Sequence, residues 1–294
     1  MTEELKTYRG NCHCAAYIYE FKAPENIKPS ECNCSSCYKK GAYWYVPKNE
    51  NIRWVKGDIN TLTDYTFGEK TFHHKFCPTC GVQLWAGGYI NPPQPGEEPM
   101  NGFNVRTLQY GQVDVWKVEK QPVDGKSFRN PYKIPKFTGP EPKAVIEGGK
   151  LYTGSCHCGA VRVALKSKPI NDKAPELVAD CNCSICNKLG VVWYYPQTEQ
   201  VVVEGEDNLS FYSFNKHWFA KGFCKTCGIT IHNVAQPVLE GQIDHMSEEE
   251  RKFFVPALKM TPLNLRILND LNVKDLTIHH IDGYHEHKPL YVEP

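Results

Sequence analysis

Fourteen cysteines carry most of the chemistry this chain could perform, and they fall into two ordered sets of seven. The first set is Cys12 and Cys14, then Cys32, Cys34 and Cys37, then Cys77 and Cys80. The second is Cys156 and Cys158, then Cys181, Cys183 and Cys186, then Cys224 and Cys227. Each set reads C-x-C, C-x-C-x-x-C, C-x-x-C, with no cysteine left over. Seven thiols cannot all pair as disulfides, but they suit two zinc ions. Four thiolates close a tetrahedral site, and three leave a position open. Such short spacings favour chelation, because the chain closes only a tiny loop between ligands. The outer C-x-C and C-x-x-C therefore predict a closed structural site in each repeat, and the middle cluster predicts an open one.

The charge of the open site selects its chemistry. Zinc with three thiolates carries a net −1, so it acidifies bound water poorly compared with a three-histidine site. It is better suited to holding another soft ligand, a substrate thiol, as thiolate. That argues against hydrolysis and for making or breaking a bond at sulfur.

Composition bounds the setting. A length of 294 residues with a repeated cysteine pattern predicts two domains, and 41% hydrophobic residues are ample for packed cores. With 34 basic and 33 acidic side chains the net charge is +1, so no overall field draws the chain to nucleic acid or to an anionic membrane. The opening Met1-Thr2-Glu3-Glu4-Leu5-Lys6 is charged where a secretion signal needs an apolar core. Cysteine-rich and without such a signal, the sequence predicts a reducing compartment: the cytoplasm, with the nucleus also open. It gives no indication of oligomeric state.

The thiols need a scaffold, and the flanking sequence reads as β. Alternating or β-branched and aromatic runs predict strands at 17–21, 52–55 and 62–67, and at 161–165, 201–204 and 209–214. The runs 41–47 and 190–196, rich in tyrosine and tryptophan and stopping at proline, predict buried strands. Glycines 81 and 228 follow each C-x-x-C and permit the turn of a zinc knuckle. Late in each repeat Asn104-Val105-Arg106 is echoed by Asn264-Leu265-Arg266, read here as a strand, and Asp124-Gly125 by Asp282-Gly283. An insertion precedes each Asn-x-Arg: short and proline-rich in the first repeat, longer in the second, where Ser247 to Glu250 fits a capping box. Helix signals are otherwise scarce. The domains expected are residues 1–127 and 149–294, joined by a proline-rich linker at 128–148.

The order G-x-C-x-C, C-x-C-x-x-C, F-C-x-x-C-G, N-x-R-x-L, present twice, resembles the glutathione-dependent formaldehyde-activating enzyme family, whose domain is shared with centromere protein V. The resemblance implies a tandem pair of mainly β, Mss4-like zinc domains with short helical insertions. It implies structural zinc on the outer cysteines and catalytic zinc on the middle three, up to four zinc ions per chain. It also implies carbon–sulfur lyase chemistry on a thiol adduct, with glutathione as the thiol and an aldehyde such as formaldehyde, or another electrophile, as its partner. The fused tandem and its unequal insertions depart from the commonly single-domain family. A non-catalytic zinc module for a protein or chromatin partner is the alternative, and a thiol-redox role is a third reading.

Other side chains carry blander expectations. His13 and His157 read as surface residues or as neighbours of the closed sites. His73, His74 and His217 read as partly exposed strand residues, the alternative being proton carriers. His279, His280, His285 and His287 read as incidental. Lys39, Lys40 and Lys188 read as a solvated face or as holders of a glutathione carboxylate. Arg106 and Arg266 read as substrate contacts or as buried partners of a carboxylate. The general acid or base cannot be assigned from sequence.

Overall fold

The computed structural model describes residues 4–128, 131–171 and 177–294. Met1 to Glu3 of the leader reading, linker residues 129 and 130, and residues 172–176 of the second domain lie outside these. By contact the chain forms two compact units. The first is Met1–Tyr132 with Cys183–Gly190 and Leu290–Pro294; the second is Lys133–Asn182 with Val191–Pro289.

In the first unit, β1 (Lys6–Asn11), β2 (Ile18–Ala23) and β5 (Ile52–Lys56) form a three-stranded antiparallel sheet. The larger sheet uses β3 (Ser30–Cys32), β4 (Trp44–Tyr45), β6 (Thr63–Thr66), β7 (Phe72–Phe76), β8 (Gln83–Gly88), β9 (Met100–Asn104) and β10 (Gln121–Val123). Its order is β10-β3-β4-β9-β8-β7-β6, with β10 parallel to β3. Helix α1 (Ser35–Lys40) follows β3. Aromatic rings fill the space between the two sheets: Tyr19 stands 4.4 Å from Phe103, and Phe21 stacks on Tyr8 at 5.5 Å and on Tyr45 at 5.4 Å. Buried aromatic area of this kind is the main stabilising term of a small β unit.

The second unit repeats the plan. Strands β11 (Lys150–Ser155), β12 (Arg162–Ser167) and β15 (Val201–Glu204) form the small sheet. The large one runs β16-β17-β18-β19-β14-β13-β20. It is built from β13 (Val178–Cys181), β14 (Trp193–Tyr194), β16 (Leu209–Ser213), β17 (Phe219–Cys224), β18 (Thr230–Ala235), β19 (Leu263–Asn264) and β20 (His279–Ile281), the last parallel to β13. Val163, Leu165 and Leu263 take the place of aromatic rings in this core. The insertion holds α3 (Pro237–Glu240) and α4 (Glu248–Ala257), and α4 carries the expected Ser247–Glu250 capping box. Phe254 of α4 meets Trp218 edge-on at 4.8 Å and Phe219 at 6.3 Å, so the insertion packs on the start of β17. Helix α5 (Gly283–Glu286) follows β20.

The chain is thus mainly β, and each strand expected from the alternating runs forms within a residue or two, whereas of the runs 41–47 and 190–196 only Trp44–Tyr45 and Trp193–Tyr194 pair as strands. Two expectations are corrected. The Asn-x-Arg segments are not strands: each strand ends at the asparagine, and Val105–Thr107 and Leu265–Ile267 form single 3-10 turns. The asparagine side chains accept from the backbone N–H of Arg106 and Arg266, a local bond that competes with strand pairing. The second departure is helix where the sequence predicts none: α1 and α2 (Ser184–Leu189). Each spans six residues, too short to show a hydrophobic period.

Candidate metal centres

The outer cysteines come from two tight turns brought together by the sheets. Cys12 and Cys14 lie in the β1–β2 turn, where Cys12 N–H bonds the Tyr17 carbonyl at 3.1 Å. Cys77 and Cys80 lie in the β7–β8 turn, entered through a register shift at Lys75/Phe76. Gly81 has φ +72° and Gly228 +71°, a left-handed backbone that glycine adopts freely. The Sγ atoms of Cys12 and Cys14 are 3.6 Å apart, as are those of Cys14 and Cys77. In the second unit Cys156–Cys158 is 3.5 Å and Cys158–Cys224 is 3.6 Å. Zinc–thiolate bonds of ~2.3 Å in a tetrahedron place sulfurs ~3.8 Å apart, so these sets fit zinc closely. Backbone N–H groups of Tyr17 and Val161 point at the Cys12 and Cys156 sulfurs at 3.4 and 3.3 Å.

The thiols also perturb one another. Cys14 is held below the ordinary thiol range, chiefly by hydrogen bonding from Cys12, and Cys224 likewise by Cys156. Cys80 and Cys227 are pushed well up, first by burial. Crowded sulfurs that cannot all ionise without compensation suit a divalent cation.

The middle cysteines come from a strand end and a helix start. Cys32 ends β3, Cys34 is the N-cap of α1, and Cys37 lies in its first turn. Cys181, Cys183 and Cys186 hold the same places on β13 and α2. In each triad the sulfurs lie within 4.8 Å of one another, and among the described residues neither cluster gathers a fourth histidine, cysteine or carboxylate. Cys34 is lowered to about 2, first by hydrogen bonding from Cys32, then Cys37, with a lesser contribution from the charge of His74. The first triad borders an apolar cluster of Ala42, Trp44 and Ala86, with Phe72 packed against it. Trp44 donates its indole N–H to Cys37 Sγ at 3.2 Å.

The family model described as glutathione-dependent formaldehyde-activating enzyme matches residues 7–100 and 151–245, more than half of the chain, and each segment holds one full set of seven cysteines. The chain belongs to the glutathione-dependent formaldehyde-activating enzyme family. It carries the family domain twice, as a tandem duplication, in the mainly β form of Mss4-like zinc domains. Family members bind zinc, and four cysteine clusters here could hold metal ions. A solved structure of a Rhodobacter sphaeroides protein matches at 25% identity with a TM-score of 0.30, covering 42% of this chain and 99% of that one. Among the described residues no helix is long and apolar enough to cross a membrane.

The structure corrects several side-chain expectations. Lys39, Lys40 and Lys188 are not a solvated face; they are 6%, 5% and 2% exposed. Lys40 donates to Gln83 Oε1 and lies over the Tyr65 ring at 5.7 Å. Lys188 donates to the Thr107 carbonyl at 3.3 Å and faces Glu293 at 3.6 Å, both within the first unit. Arg106 pairs with a carbonyl rather than a carboxylate: its Nε donates to Gly41 O at 2.6 Å while the guanidinium lies 4.5 Å over the Tyr43 ring. Arg266 is buried at the matching 3-10 turn.

His13 is buried rather than superficial, bonded to Ser184 Oγ at 3.0 Å and stacked on Tyr291 at 4.7 Å; His157 is buried too. His74 is also buried, stacked on Phe67 and edge-on to Phe72, each at 5.5 Å, and edge-on to Trp44 at 6.4 Å. Its neighbour His73 points outward to Asp64 at 2.7 Å. Period-two alternation assigns the two histidines to opposite faces but does not say which face is covered. His217 bonds Ser213 Oγ at 2.6 Å, and His285 bonds Asp282 at 2.8 Å. His279 and His280 lie on β20, and His287 follows α5.

Proposed function

We propose that the protein is a zinc-dependent carbon–sulfur lyase acting on a thiol adduct, with glutathione as the thiol and an aldehyde such as formaldehyde as the electrophile. The observation that carries this is a three-sulfur cluster to which no other described residue adds a fourth donor, set in the first unit against an apolar wall, in a chain of this family. In this reading Cys12, Cys14, Cys77 and Cys80, and Cys156, Cys158, Cys224 and Cys227, hold structural zinc. Cys32, Cys34 and Cys37, and Cys181, Cys183 and Cys186, are ligands of catalytic zinc, giving up to four ions per chain. Zinc held by three thiolates would bind the substrate sulfur as thiolate and keep it available at neutral pH.

The chain's own groups do the rest. Trp44 donates to Cys37 and draws charge from that ligand, while Ala86 and Phe72 limit water on the same side. In this reading His74, packed among Trp44, Phe67 and Phe72 and electrostatically coupled to Cys34, would move the proton that leaves the thiol and ends on the carbonyl oxygen as the C–S bond forms.

The test is formation of the hydroxymethyl adduct from glutathione and formaldehyde, followed by NMR exchange spectroscopy. Acceleration over the uncatalysed rate, lost in a Cys34→Ser/Cys183→Ser double variant, is the expected result. No acceleration with formaldehyde or a panel of larger aldehydes, by protein carrying its full metal, would replace the lyase reading with a binding role.

A further inference from the structure

Each repeat ends with an Asp-Gly pair, and each pair folds back onto a middle cysteine of its own unit, Cys32 or Cys181. In the first unit β10 runs parallel to β3 with Val123 opposite Cys32, and the chain then turns at Asp124-Gly125. Asn33, between two ligand candidates, clasps this turn with three bonds. Its Nδ2 donates to Asp124 Oδ1 at 2.7 Å, its Oδ1 accepts from Lys126 N–H at 3.0 Å, and its own N–H donates to Val123 O at 3.0 Å. The second unit makes the same three bonds. Asn182 Nδ2 donates to Asp282 Oδ1 at 2.8 Å, its Oδ1 accepts from Tyr284 N–H at 2.9 Å, and its N–H donates to Ile281 O at 3.1 Å. The residues after the glycine differ, Lys126-Ser127 against Tyr284-His285, so the same clasp forms on different flanking residues.

The glycines explain why the turn can lie so close. A Cβ at Gly125 would stand 2.2 Å from Cys32 Sγ and 3.2 Å from Cys34 Cβ, and one at Gly283 would stand 2.6 Å from Cys181 Sγ. Neither glycine has the positive φ that would itself demand glycine. What excludes a side chain at Gly125 is the sulfur; at Gly283 it is the sulfur together with the His287 ring, 2.8 Å away. A backbone resting directly on a ligand atom leaves that sulfur little freedom of rotamer and shields it from water on that side. Second neighbours of a metal often set ligand geometry in this way.

We propose that the Asn–Asp–Gly clasp is a positioning element for the three-cysteine sites. It presses the sulfurs of Cys32 and Cys181 into the array that grips a thiophilic divalent cation, through residues that are not ligands. The clasp therefore sets how tightly the triads hold metal and leaves the four-cysteine sites alone. This rests on the proposal that the triads bind zinc.

The test uses the full chain, zinc counted by elemental analysis, and cobalt substitution read through thiolate-to-metal charge-transfer bands. Gly125→Ala is expected to lose one ion of four, with faster alkylation of Cys32 and Cys34 and unchanged protection of Cys12 and Cys80. Because that variant could fail to fold, Asp124→Ala serves beside it, since it removes atoms from an exposed bond. It should release one ion to a chelator about tenfold faster or more. Wild-type zinc content, cobalt spectrum and release rate in both variants would overturn the clasp while leaving the zinc reading intact. A wild-type chain that takes metal only at its four-cysteine sites would instead sink the zinc reading, and the clasp with it.

Discussion

The indole N–H of Trp44 lies 3.2 Å from the sulfur of Cys37, seven residues before it in the chain. The bond joins the first turn of α1 to the first residue of β4, so it ties the helix that holds Cys37, and is capped by Cys34, to the sheet. A hydrogen bond to a ligand thiolate withdraws charge and fixes its direction. Trp44→Phe keeps most of the buried ring and removes only the donor. It should lower retention of one ion roughly tenfold, measured by chelator competition, with little change in thermal stability.

Arg106 joins α1 to the 3-10 turn through Gly41 O and the Tyr43 ring. Lysine cannot reproduce a planar cation that stacks and donates at once. Arg106→Lys should cost about 2 kcal/mol in urea unfolding. A substrate-binding arginine would behave differently: KM would rise with stability unchanged.

His232 is 6% exposed, has no hydrogen-bond partner on either ring nitrogen among the described residues, and is held down to about 4 by burial. The folded state thus binds this proton more weakly than the unfolded chain, whose histidine titrates near 6.5. Stability should be full above about pH 6.5 and fall as pH drops towards 4, by up to about 3 kcal/mol at the lower end. His232→Phe should flatten that part of the profile relative to wild type. The first repeat has Trp85 at the equivalent position, so a large apolar ring is tolerated there.

Glu293 faces the buried ammonium of Lys188 within the first unit. Burial pushes the lysine down and Glu293 opposes that shift. Glu293→Gln should destabilise by about 3 kcal/mol, because it strands a buried charge. Lys188→Met added to it should recover much of the loss. Equal stability of the single variant and wild type would show that water already compensates the lysine.

The duplicated fold and the sorting of the fourteen cysteines were legible in the sequence, and the physical reason is locality. C-x-C and C-x-x-C bring sulfurs together through their own turns, and alternating strands announce themselves every second residue. The Asn-x-Arg echo was legible as a repeat but not in its shape, because a side-chain cap on Arg106 N–H ended the strand that its apolar neighbours suggested. Burial of Lys40, Lys188, His13 and His74 was invisible for a different reason. Lys40, Lys188 and His13 depend on residues tens to hundreds of positions away, Gln83, Glu293 and Tyr291, and His74 on the face of the sheet that Phe67 and Trp44 cover. The Asp-Gly echo was visible as letters, but only the parallel pairing of β10 with β3 laid Gly125 on the sulfur of Cys32. Sequence determined which atoms could grip a metal; tertiary structure decided what presses on them, because a strand's partner is chosen by the whole sheet.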